Sequence, residues 1–186
     1  MKKIILASLM ALSFSSLNAK ECFNSDSIDV KWISYKTMAK IGVGGNFSKT
    51  DLSVTNANAS TLAKMLEGSS VKLSLGNIDA HLALKNQNIA KFFTANLSTK
   101  KITAKIISAN AKKLLVSITL NGKTQNIPMS YKTKGSHILA TGVIDAIDFD
   151  LVPALRTLNK NVAGHKNKGW NDISIAFDMP YTTICK

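Results

Sequence analysis

Apolar and polar residues alternate with a period of two along much of this chain. Ile28, Val30 and Trp32 alternate with Asp29 and Lys31, and Val71, Leu73 and Leu75 with Lys72, Ser74 and Gly76. Ile102, Ala104 and Ile106 alternate with Thr103 and Lys105. The longest stripe is Leu114, Val116, Ile118 and Leu120, opposed by Ser117, Thr119 and Asn121. Near the end, Ile173, Ile175, Phe177 and Met179 face away from Asp172, Ser174, Ala176 and Asp178. Successive side chains of a strand point to opposite faces, so each run predicts a strand with one buried and one wet face. Residues 46–55, 125–132 and 136–144 predict three more. Asn121-Gly122-Lys123 lies between two of these runs and is a strong hairpin signal. Lys134-Gly135 separates two others, and consecutive hairpins make an antiparallel meander.

Helical spacing is rarer. Residues 60–67 place Leu62, Met65 and Leu66 on one face, with Ser60 as N-cap. Residues 79–93 carry Leu82, Ile89, Phe92 and Phe93, and predict a helix or two short turns. Residues 150–158 put Leu151, Leu155 and Leu158 on one stripe, with Pro153 in the tolerant first turn. The fold class is therefore all-β, mainly antiparallel, with two or three short helices. A sandwich and a closed barrel both satisfy the pattern.

The two ends change the picture. Lys2 and Lys3, the apolar run of residues 4–12 and the small-residue ending Leu17-Asn18-Ala19 have the layout of a cleaved secretory signal peptide over residues 1–19. The apolar run is too short to span a bilayer stably. A periplasmic or secreted bacterial location is expected, with one domain over residues 20–186. Lys20 and Glu21 before Cys22 do not suit lipid attachment at that cysteine. Cys22 and Cys185 are the two cysteines of the chain. In an oxidising compartment the simplest expectation is one disulfide between them, which also predicts that the first and last strands lie side by side.

Net charge is +13 for the whole chain, and two of those charges lie in residues 1–19. A basic balance favours anionic partners such as headgroups or a membrane surface, and export argues against nucleic acid. The lysines are scattered, so a merely solvated basic surface fits equally well. His81, His137 and His165 are too dispersed to announce a metal site. Gly42-Val43-Gly44-Gly45 is not followed by the Lys-Ser/Thr of a phosphate loop and reads as a turn or bulge. No nucleophile elbow appears, so neither catalysis nor a cofactor is expected.

Several segments in order resemble the YceI-like family of exported, lipocalin-like proteins that bind polyisoprenoids and related lipids. They are Val30-Lys31-Trp32 with Gly45-Asn46-Phe47, then residues 71–79 with His81-Leu82 and Phe92-Phe93. The most specific is Leu120-Asn121-Gly122-Lys123-Thr124, flanked by Ile118 and by Ile127-Pro128-Met129; Asp148-Phe149 and the strand of residues 172–178 follow. The resemblance covers about residues 28–179. It departs from the family pattern before Asp79, between His81 and Phe92, and near Lys36, where the family often carries a histidine. These departures bear on the pocket mouth.

The resemblance implies an eight-stranded antiparallel barrel holding an extended apolar ligand, an isoprenoid, quinone or fatty-acyl chain. Its expected cavity lining is Val30, Trp32, Phe47, Leu73, Leu75, Phe92, Phe93, Ile118, Leu120, Met129, Phe149 and Phe177, each of which would also serve as plain core. Met38 and Met65, like Met129, suit an adaptable pocket wall or a gap-filling role. At the mouth stand Asp79 and His81, as headgroup contacts or as a structural clamp, and Lys166 and Trp170, as a headgroup clamp or a solvated connector. The rival reading is a filled barrel working through its basic surface on anionic envelope components or a partner protein. Oligomeric state stays open, with a dimer among the alternatives.

Overall fold

The structure, a computed structural model, describes residues 22–183. The signal-peptide expectation for residues 1–19 and the Cys185 half of the expected disulfide lie outside the described residues. Cys22 itself is buried.

Ten strand segments form one antiparallel sheet: β1 (Asp29–Lys36), β2 (Ile41–Phe47), β3 (Asp51–Ser53), β4 (Ser70–Ser74), β5 (Ile78–Asp79), β6 (Lys101–Ala109), β7 (Lys113–Leu120), β8 (Lys123–Lys134), β9 (His137–Asp145) and β10 (Gly169–Pro180). Their spatial order is β3-β4-β6-β7-β8-β9-β10-β1-β2-β5. The two ends of that order are continuations of interior strands, because β3 follows β2 and β5 follows β4 along the chain. Asn46 and Phe47 pair with Asp79 and Ile78, the Ser48 N–H donates to the Asn77 carbonyl, and Asp51 to Ser53 pair with Lys72 to Ser70. Counted by passes of the chain, eight antiparallel members curl until the sheet meets itself, with a 3₁₀ turn at Leu75–Asn77 stepping the register. Closure leaves few unpaired edges. First and last strands are neighbours, as Val30 pairs with Phe177 and Trp32 with Ile175.

The period-two stripes point inward. Leu114, Val116, Ile118 and Leu120 are buried, as are Ile127, Met129 and Tyr131 of β8 and Ile138, Ala140 and Ile144 of β9. The Asn-Gly hairpin forms with positive φ at both Asn121 and Gly122, the conformation for which that pair is selected. Gly42 to Gly45 is not a turn but the body of β2. A β-carbon on Gly45 would strike the Asp79 carbonyl and stand 2.9 Å from Trp32 Cζ2. Glycine is needed there because the indole of the neighbouring strand lies across the backbone.

Three short helices close the ends. Helix α1 (Leu62–Leu66) is capped by Thr61 rather than Ser60, its hydroxyl accepting from the Lys64 N–H. Met65 and Leu66 are fully buried and stopper one end of the barrel. At the opposite end lie α2 (Ala83–Asn88), a single π-helical turn over Ile89–Phe93, and α3 (Val152–Asn161). The π turn packs against α3. Residues 79–93 thus divide into strand end, helix and π turn, and α3 starts two residues later than its leucine stripe suggests.

Candidate cavity and its mouth

The inward stripes do not fill the barrel. Trp32, Leu73, Ala104, Ile175 and Phe177 occupy inward positions yet are only half-buried, because an apolar cavity of about 260 Å³ runs inside the wall. The small side chain of Ala104 on β6 borders the space and helps to leave it open. Along β1 the wall spans Val30 to Lys36, about 20 Å of strand or roughly 15 Å along a barrel axis at typical tilt.

Ten of the expected lining residues stand on this wall: Val30, Trp32, Phe47, Leu73, Leu75, Phe93, Ile118, Leu120, Met129 and Phe177. Two do not. Phe149 is fully buried behind the wall, in the turn that Asn121 ties down through its Nδ2 hydrogen bond to the Phe149 carbonyl at 3.1 Å. Phe92 sits on the π turn beside Phe93, with the Lys91 ammonium 5.1 Å from its ring, and only Phe93 reaches the cavity. Adjacent positions on a helical turn point in different directions, and in this pair it is Phe93 that faces the cavity. Met65 plugs the end opposite the mouth, and Met38 is exposed.

The expected mouth residues are placed beside the opening rather than on the cavity wall. Asp79 Oδ1 accepts from the His81 N–H at 2.8 Å and from Asn86 Nδ2 at 3.1 Å, while Asn86 Oδ1 accepts from the Ala80 N–H at 2.7 Å. The Asn86 hydrogen bond first, then the His81 N–H, hold the Asp79 carboxyl below its usual range. The pair is a clamp that turns the chain from β5 into α2. Trp170 donates from Nε1 to the Thr37 carbonyl at 2.8 Å and pins the β1–β2 turn to the start of β10. Its ring lies between the ammonium groups of Lys40 (5.0 Å) and Lys168 (4.8 Å). Lys166 is exposed in the loop before β10.

The polar residues on the wall are Lys31, Ser34 and Tyr35 of β1 together with Lys36, Lys85, Asn88 and His165. Among the described residues, no Asp or Glu joins the lining, and neither Lys36 nor Lys85 has an ion-pair partner. Burial, with the Lys36 charge adding to it, holds the His165 imidazole below its ordinary range. Its Nδ1 is 2.6 Å from Asn159 Oδ1. Trp32 Nε1 is buried on the wall without a hydrogen-bond partner. The arrangement is an apolar tube whose helical end carries cations and no anion. Lys36, at the position where the sequence departs from the family pattern, stands on the wall. Lys85 and His165 carried no local signal, since the path from α2 to the loop after α3 is made only by folding. Among the described residues no group of three or more His, Cys, Asp or Glu is placed to hold a metal.

A family model described as "YceI-like domain" matches residues 23–180. Among solved structures, a polyisoprenoid binding domain from Saccharophagus degradans, described as implicated in plant cell wall breakdown, superposes with a TM-score of 0.61 at 12% identity, covering 89% of this chain and 99% of that one. BcnA of Burkholderia cenocepacia gives 0.57 at 17% identity, covering 86% and 100%. A Campylobacter jejuni YCEI protein gives 0.57 at 15%, covering 81% and 90%. No curated protein sequence matches the chain.

Proposed function

Because this chain belongs to the YceI-like domain family, we propose that it is a binding protein, not an enzyme, that holds an isoprenoid, quinone or fatty-acyl lipid in its barrel, for storage or transport outside the cytoplasm. The observation that carries the reading is the set of inward aromatic and aliphatic side chains left half-buried around an open lumen. A folded domain normally packs its interior to crystal-like density. Leaving Trp32, Ile175 and Phe177 accessible forfeits dispersion contacts that a bound hydrocarbon restores. Each buried methylene of such a ligand contributes about 0.8 kcal/mol before association costs.

The polar end of the ligand sits at the helical mouth. Lys36 and Lys85 offer two uncompensated ammonium groups suited to a carboxylate or phosphate headgroup. The basic-surface reading is less economical, since it leaves the lumen without a purpose.

Native mass spectrometry of the purified mature protein, followed by organic extraction, tests the proposal. The expected result is a bound lipid of one extended chain. Recovery of no lipid, with no uptake from a mixture of quinones, prenols and fatty acids, would refute it.

A further inference from the structure

We propose that the helix-bearing mouth docks on an anionic phospholipid bilayer, an inference that rests on the lipid-binding reading above. Large apolar side chains stand in water on the two elements that flank the opening. Met38 is 78% exposed at the β1–β2 turn and Ile41 52% at the first position of β2, while Leu82 (53%) and Leu84 (61%) lie at the start of α2. These positions adjoin the cavity directly. Ile41 pairs with Lys36, Leu84 precedes Lys85, and both lysines line the lumen. The Trp170–Thr37 hydrogen bond braces the turn that carries Met38.

Charge around the apolar tips is mainly positive, with Asp79 before Leu82 and Asp172 on Lys40 as the acidic groups. Lys36, Lys85, Lys91, Lys166 and Lys168 have no ion-pair partner among the described residues, and Lys40 is neutralised by Asp172 at 2.7 Å. Apolar tips ringed by lysines match a bilayer interface, where the tips enter the headgroup layer and the ammonium groups meet phosphates. The cargo supplies the reason for this occupant. Crossing water disfavours an apolar chain by about fourfold for each methylene exposed, so a mouth pressed into the membrane gives the chain a dry path into the lumen.

The test is co-sedimentation of the mature protein with phosphatidylcholine vesicles, with and without added phosphatidylglycerol, at low and at raised salt. The expected result is binding to the anionic vesicles only, weakened by salt. Met38→Ser with Leu84→Ser should lower that binding about tenfold, the loss expected from withdrawing two half-inserted side chains. Lys91→Gln and Lys166→Gln should each lower it on the order of fivefold. Neither change touches the lumen, so bound lipid in native mass spectra should persist. Conversely, Ala104→Phe, which narrows the lumen and weakens lipid binding, should still sediment with anionic vesicles, and this separates failure of docking from failure of lipid binding. Equal binding to neutral and anionic vesicles would overturn the proposal, as would full binding by the Met38/Leu84 variant. A concentration-dependent dimer abolished by that variant, with no vesicle binding, would assign the face to a second copy instead and also overturn it.

Discussion

Filling the lumen should strengthen the protein while removing its ligand, and Ala104 is the position at which to do it. It lies on the inner face of β6, between Val71 of β4 and Ile118 of β7, and it borders the cavity. A cavity of about 150 Å³ accommodates benzene, so a lumen of about 260 Å³ takes the phenyl ring of Ala104→Phe and loses roughly half its space. Burying that ring contributes about 2 kcal/mol, which for a domain of this size raises the Tm of the lipid-free protein by about 4–8 °C. The ring displaces about four methylenes of a bound chain, or about 3 kcal/mol of ligand burial, so affinity should fall more than about a hundredfold. Thermal unfolding of the delipidated variant, with and without added lipid, reads both effects together. Ala104→Leu fills less and guards against overpacking; it should show smaller changes of the same signs. If Ala104→Phe retained the same lipid at the same stoichiometry, the lumen would not be the binding site. Destabilisation by both variants would mean that the space is not open.

Other outcomes follow from particular contacts. Gly45→Ala should destabilise by about 1–3 kcal/mol in urea titrations, because the added carbon meets Trp32 and the Asp79 carbonyl. Asn121→Ala should cost about 2–3 kcal/mol, since Asn121 accepts from the Ser98 N–H at 2.8 Å, donates to the Phe149 carbonyl and holds a positive φ. Trp170→Phe removes the hydrogen bond to Thr37, worth about 1 kcal/mol, and should speed amide exchange over residues 37–41 without a comparable loss of global stability. His165 has a lowered pKa in the fold, so as pH falls through the ordinary imidazole range the unfolded chain takes up the proton first. Its contribution to stability is therefore retained at neutral pH and lost between the ordinary and the lowered value. His165→Gln should flatten that part of a stability–pH curve measured by urea unfolding, and an unchanged curve would count against the assignment.

The alternation of Leu114 to Leu120 and of Ile173 to Met179, with the Asn-Gly turn, was enough to specify antiparallel strands and the faces they bury, because a period of two leaves one register in which every apolar residue points inward. Trp32, Leu73, Ile118 and Phe177 border the cavity for the same reason. Local pattern did not distinguish Phe92 from Phe93, or a wall position from the core behind it at Phe149, since both are simply apolar. It also misread Gly42 to Gly45, whose reason is the Trp32 indole on the neighbouring strand. The cationic mouth is a tertiary product altogether. Lys36, Lys85 and His165 come from the end of β1, from α2 and from the loop after α3, and no sequence spacing relates them. Closure of the sheet and the packing of the π turn on α3 bring them to one opening. Strand direction and inward face depend on neighbours two residues apart, whereas an enclosed space and its rim depend on contacts made across the whole chain.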